Sequence, residues 1–190
     1  FATAGQARIF LVTVALGALL GLAHDGDADR VLFVDSEGNE IDGDYILAIC
    51  GSDLAARGKL ANSEIVSTVM CNLGFSIAMK EQGFEMVQTA VGDRYVLERM
   101  LADGAVIGGE QSGHIIFSKH ATTGDGILTS LMVMEVLIDK KLPLSTLTAE
   151  VVIYPQLLKN VRVANKAAAK ANPAVQKAVE DVAAVSYTHL

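Results

Sequence analysis

EIVSTVMCNLGFSIAMKEQGFEMVQTAVGDRYVLERMLADGAVI, residues 64–107, decides the fold. It opens with the β-branched run Glu64–Met70, continues through Asn72–Gln82 with apolar residues at helical spacing, and is stopped by Gly83. Phe84–Val91 again reads as a strand, Arg94–Ala102 as a helix, and Ala105–Ile107 as a short strand. Strands alternating with helices predict an α/β domain, a mixed, largely parallel sheet layered with helices.

Working outward, a glycine-rich loop follows residue 107, then the apolar run His114–Phe117 and a long helix from Gly126 to about Lys140. On the N-terminal side, Arg30–Asp35 reads as a strand, Ser36–Asn39 as a turn and Glu40–Asp44 as the returning leg of a hairpin. A helix then runs from Tyr45 and stops at Gly58, and a boundary falls near Leu142-Pro143-Leu144. Lys166–Ala184 is alanine-rich at helical spacing, with a cap near Asn172-Pro173.

The apolar stretch Ile9–Ala23 is shorter than the roughly 18 apolar residues that a membrane span needs, and it runs directly into an acidic loop. It reads as a buried helix or strand. The chain begins at Phe1 without Met and ends on Ser186–Leu190 with no structural ending, so truncation is expected. At 51% hydrophobic and 19% charged residues the composition is that of a folded chain. A net charge of −7 with no Lys/Arg cluster argues against nucleic acid as a partner, while a few placed cations and backbone N–H groups can still hold a phosphate. Cys50 and Cys71 have no metal-like spacing and read as buried reduced thiols, which favours the cytoplasm.

The acidic loop is Asp25-Gly26-Asp27-Ala28-Asp29-Arg30. Aspartates at alternating positions turn their carboxylates toward one point when the backbone loops, and Gly26 and Ala28 allow that curvature. Hard oxygen ligands suit Mg²⁺ or Ca²⁺, and few protein ligands with open positions favour Mg²⁺ completed by a phosphate oxygen. A calcium-binding helix–loop–helix begins the same way, but Arg30 stands where its glycine is needed and Ser36 where its closing glutamate should be. The alternative is a solvated acidic turn. His24, just ahead of the loop, could orient a phosphate, although a lone histidine is more often structural.

Gly108-Gly109-Glu110-Gln111-Ser112-Gly113-His114 places polar side chains between glycines, which lets a polyhydroxylated ligand approach closely. Glu110 can accept from two adjacent sugar hydroxyls, and Ser112 and His114 can bond a third position; a capped turn with a core histidine is the alternative. Asp93 and Asp125 are expected as helix N-caps, and Arg94 either reaches an anion or pairs with an acid.

Together, LGLAHDGDADR (20–30), STVMCNLGF (67–75), AVGDRYVLERM (90–100), IGGEQSGHIIF (107–117), TTGDGILTSL (122–131) and YPQLLKNVRV (154–163) resemble the phosphohexomutase superfamily, and within it the bacterial phosphoglucosamine mutases. The resemblance covers roughly residues 20–185. It implies part of a four-domain isomerase that moves a phosphoryl group between positions of a hexosamine phosphate, using a phosphoserine and Mg²⁺. It further implies Asp25, Asp27 and Asp29 as metal ligands, Arg30 as the catalytic arginine beside the phosphoserine, and Glu110, Ser112, His114 and Arg94 toward the sugar. In that scheme residues 1–42 end domain two, 43–145 form domain three, and 146–190 are the connection and truncated start of domain four. A homodimer is compatible with the full-length enzyme, and neither nucleic acid nor membrane is expected as a partner.

No serine of the chain is followed by His-Asn-Pro, the family's nucleophile string, and no R-x-S-G-T-E-P phosphate loop occurs. Cys71 stands where the family's string usually has serine. The expectation is therefore a chain inactive alone. Alternatives are a phosphomannomutase or phosphoglucomutase, or a non-catalytic module binding metal or sugar phosphate.

Overall fold

The computed structural model describes residues 20–157, 159 and 161–188. Of the apolar stretch 9–23, only its end is therefore described, and that end is a strand: β1 (Leu20–His24) pairs antiparallel with β2 (Val31–Asp35), which pairs with the short β3 (Glu40–Ile41). The remainder of the stretch lies outside the described residues. The expected second hairpin leg is shorter than its reading. Only Glu40 and Ile41 pair, because Asp42 turns its carboxylate onto the N–H groups of Asp44 and Tyr45 and starts helix α1 (Gly43–Ala56) early.

Helix α1 buries Ile46, Leu47, Ala48, Ile49 and Cys50 in succession. Apolar residues all the way round a helix mark one enclosed by other elements rather than laid on a surface. It touches β6, α2 and α4. Around it stand β4 (Glu64–Thr68), α2 (Leu73–Glu81), β5 (Glu85–Thr89), α3 (Asp93–Asp103), β6 (Ile107–Gly109), β7 (Ile115–Phe117) and α4 (Gly126–Lys140). The second sheet has the order β5-β4-β6-β7; β4 runs parallel to β5 and β6, and β7 returns antiparallel. The alternation read from residues 64–107 is thus an α/β unit with a mixed sheet, as expected.

Small shifts have local causes. Gly108 and Gly109 belong to β6, because backbone pairing with Ile116 and Ile115 extends the strand into what read as loop. At Gly109 an added Cβ would meet the His114 carbonyl oxygen at 2.6 Å, so the glycine allows that close pairing. Phe33, Ile41, Ile46, Leu47, Ile65, Phe75, Ile107 and Ile115 form the main core between the two sheets and the helices. Cys50 and Cys71 are buried and form no disulfide.

The first compact unit runs to Pro155 and includes the short helix α5 (Leu144–Leu147) after Pro143. The second begins at Gln156 and carries α6 (Lys166–Lys170) and α7 (Pro173–Thr188). Asn165 caps α6 through Ala168 N–H, and Asn172 accepts from Ala174 N–H at the start of α7, so the alanine-rich stretch is two helices. No helix among the described residues is long and apolar enough to cross a membrane.

Candidate metal and sugar-phosphate site

The acidic loop is the turn of the β1–β2 hairpin, closed by the His24–Val31 pair. Ala28 sits at φ 59°, the left-handed region, and its N–H reaches the Asp25 carbonyl oxygen at 3.4 Å. That reversal brings carboxylate oxygens of Asp25, Asp27 and Asp29 within 4.8 Å of one another. The convergence expected from the spacing is present.

Two other loops hold this turn. Gly126 N–H donates to the Ala28 carbonyl at 2.9 Å, and a Cβ at Gly126 would lie 2.5 Å from the Arg30 carbonyl oxygen. On the other side, Val31 N–H donates to the Gly113 carbonyl at 3.2 Å. Gly113 lies at φ 91°, and a Cβ there would stand 2.2 Å from the Val31 carbonyl oxygen. Only glycine satisfies both the positive φ and that approach. The acidic loop, the β6–β7 turn and the N-terminus of α4 therefore meet.

The β6–β7 turn is tight: Glu110 N–H donates to the His114 carbonyl and Gly113 N–H to the Glu110 carbonyl, both at 3.0 Å. Gln111 is tied to α1, because Gly43 N–H donates to its carbonyl at 2.9 Å. One Glu110 carboxylate oxygen accepts from Gly92 N–H at 3.0 Å. That anchors the Val91–Arg94 segment to the turn. Ser112 is exposed at its tip.

His114 is 2% exposed, and its Nε2 stands 3.6 Å from Asp29 Oδ2 and 4.0 Å from Asp93 Oδ2. Its Nδ1 and Asp29 Oδ1 are both buried without a hydrogen-bond partner among the described residues. Buried polar atoms left unpaired are costly, and they mark where a ligand or ion would bond. Arg30 is half-exposed, its Nε 3.7 Å from Asp29 and 4.0 Å from Asp25.

Crowding sets opposite directions for two of the carboxyls. Desolvation, then hydrogen bonding with Asp25 and the charges of Asp25 and Asp27, raises Asp29 above its ordinary value. At Asp25 desolvation also pushes upward and is the largest single effect, but the Arg30 N–H, the Asp29 carboxyl and the Arg30 charge together lower it. Mutual repulsion of this kind is what a divalent cation relieves. The all-oxygen donor set, its convergence and the Asp29 oxygen that accepts no hydrogen bond fit Mg²⁺.

Other expected residues fall elsewhere. Arg94 is 80% exposed and pairs with Glu98 at 2.7 Å along α3, which is the pairing alternative. His24 Nε2 lies 3.1 Å from Ser130 Oγ, a structural contact to α4. Asp125 caps α4 through Leu128 N–H at 2.9 Å, as expected. Asp93 does not cap α3. The N-cap is Gly92, at φ 132°, and Asp93 is the first helical residue, with its carboxylate facing His114 instead. Sequence reasoning missed Asp93 as a neighbour of the site, and the glycine preceding it was the available signal.

Residues 42–154 match the family model described as phosphoglucomutase/phosphomannomutase, alpha/beta/alpha domain III. The phosphoglucosamine mutase of Pelotomaculum thermopropionicum is 55% identical over 161 residues, which is 85% of this chain and 36% of that protein. That of Geobacillus kaustophilus is 53% identical over 168 residues, 88% of this chain and 37% of that protein. The chain thus spans little more than a third of these curated relatives. Among solved structures, a phosphoglucomutase/phosphomannomutase family protein from Burkholderia thailandensis superposes with a TM-score of 0.69 at 26% identity, covering 76% of this chain and 31% of that one. The N-acetylphosphoglucosamine mutase of Aspergillus fumigatus, solved with GlcNAc-6P and magnesium, shares the fold with a TM-score of 0.64 at 23% identity, covering 77% of this chain and 35% of that one.

Proposed function

Since the chain belongs to the phosphoglucomutase/phosphomannomutase family, we propose that it is the metal-holding and sugar-recognising part of a phosphoglucosamine mutase, whose whole would interconvert glucosamine 6-phosphate and glucosamine 1-phosphate. The observation that carries this reading is the meeting of two loops: His114 of the β6–β7 turn stands 3.6 Å from Asp29 of the acidic loop. Phosphoryl transfer to a sugar hydroxyl needs the charge-neutralising group and the sugar held side by side. The amino-sugar assignment is supported by curated phosphoglucosamine mutases at 55% identity. The family reading also makes residues 1–42 the end of domain two, 43–145 domain three and 146–190 the start of domain four, in a cytoplasmic enzyme.

Asp25, Asp27 and Asp29 would hold Mg²⁺, which supplies electrostatic stabilisation of a transferring phosphoryl group when bound. Arg30, with its guanidinium beside these carboxylates and half in solvent, adds a fixed positive charge facing the same phosphoryl oxygens. Glu110, fixed through Gly92 N–H, presents its second carboxylate oxygen to sugar hydroxyls, with exposed Ser112 beside it. His114, almost wholly buried and held between Asp29 and Asp93, would act on the sugar by positioning those carboxylates. Arg94 would have to leave Glu98 before it could reach a phosphate.

With Mg²⁺ present, glucosamine 6-phosphate is expected to shift the amide signals of residues 109–114 and 92–93 more strongly than glucose 6-phosphate does. The chain alone is expected to show no mutase turnover. Perturbation confined to other residues, or equal response to both sugars, would overturn the assignment.

A further inference from the structure

A cavity of about 450 Å³ opens between α1 and α4 at the end of the β6–β7 pair opposite to Glu110 and His114. Those strands are three residues long, so it begins roughly 10 Å along the sheet from the turn carrying the sugar-loop residues. No residue lining it belongs to the acidic loop or the β6–β7 turn.

Its floor is apolar, with Leu54, Val106, Phe117 and Met132 contributing. One wall is a closed ionic system: Arg57 pairs with Asp53 at 2.6 Å, Glu135 at 2.7 Å and Asp139 at 2.9 Å, tying the end of α1 to α4. Asp53 also takes Lys140 at 3.6 Å. The carboxylates here are therefore already engaged by cations. The rest of the rim is different. Lys59, Lys119 and His120 line the mouth, are exposed, and make no ion pair among the described residues. Arg57, Lys59 and Lys119 face this cavity against the carboxylates of Asp53 and Glu135, in a chain whose net charge is −7.

A ligand pocket of this size usually combines an apolar lining with a few placed polar groups, and cations without internal partners select a negatively charged head. We propose that this cavity binds a small amphipathic acid: an apolar body of one or two rings or a short acyl chain, seated on Leu54, Phe117 and Met132, with a carboxylate, sulfonate or phosphate held by Lys59 and Lys119. The site is separate from the sugar loop and does not rest on the function proposed above.

Anilinonaphthalene sulfonate, which joins aromatic rings to one fixed negative charge, is the probe. Titrated into the 190-residue chain, it is expected to move the methyl signals of Met132, Val106 and Leu54 in a saturable manner. Lys59→Glu/Lys119→Glu, at exposed side chains away from the core, should weaken binding roughly tenfold or more, and Lys119→Gln should fall between. A melting temperature matching the unaltered chain shows that the variants are folded. Stationary Met132 and Val106 signals, or equal affinity in chain and charge-reversed variant, would overturn the proposal.

Discussion

His114 Nε2 lies 3.6 Å from Asp29 Oδ2, and the imidazole packs on Gly124, where an added Cβ would fall 2.4 Å from Nε2. The Nε2 end of the ring is thus held close by a residue with no side chain. Gly124→Ala is expected to push the imidazole off Asp29 and to cost about 1–3 kcal/mol through overpacking. Displaced His114 ring signals in the NMR spectrum, with a reduced urea midpoint, would bear this out. Unmoved ring signals would contradict the packing.

Asn72 holds the exit of the first compact unit. Its side-chain oxygen accepts from Gly74 N–H at 2.9 Å and Tyr154 N–H at 3.0 Å, while its amide nitrogen donates to the Tyr154 carbonyl at 2.8 Å. Gly74 fits closely beneath, since a Cβ there would be 1.6 Å from the Val152 carbonyl oxygen. Asn72→Ala removes a helix cap and both bonds to Tyr154, an expected loss of about 3 kcal/mol. Hydrogen exchange at Val152–Tyr154 should accelerate together with that loss, as read from urea unfolding.

Much of this was legible in the sequence. The alternation over residues 64–107 reads directly as strand and helix, because each element carries its own period and each helix its own stop, as at Gly83. The acidic loop was legible for a related reason: its three aspartates are close in sequence, so their spacing alone carries the geometry. Contacts across the chain were not. The bond from Val31 N–H to the Gly113 carbonyl joins loops that share no local pattern, and only the left-handed Gly113 makes it fit. Asp93 read as an N-cap because acids before helices usually are, but the Gly92 backbone sets the helix start one residue earlier. Asp42 was hidden inside a hairpin reading by the short β3.

Asp44 gives the fold a pH dependence. Its carboxyl is fully buried, and desolvation, opposed by the Asn72 N–H and reinforced by the Asp42 charge, raises it from 3.8 to about 7. A carboxyl raised on folding binds more protons in the folded state. Its stabilisation is therefore fully present below about pH 4 and is lost as pH rises through about 7. The span corresponds to roughly 4 kcal/mol. Asp44→Asn keeps an acceptor for Asn72 N–H and removes the titration. Urea unfolding from pH 4 to 8 should show chain and variant diverging, with the variant gaining relative stability at the alkaline end; parallel curves would refute the shift.

The proposed Mg²⁺ site is tested most directly by calorimetric titration of Mg²⁺ into the chain and into Asp27→Asn. Asp27 belongs to the converging set, and the Asn variant retains its size while removing one negative ligand. The expected result is measurable binding by the chain and affinity lower by roughly tenfold or more in the variant. Equal affinities would contradict the assignment of the acidic loop as the metal site.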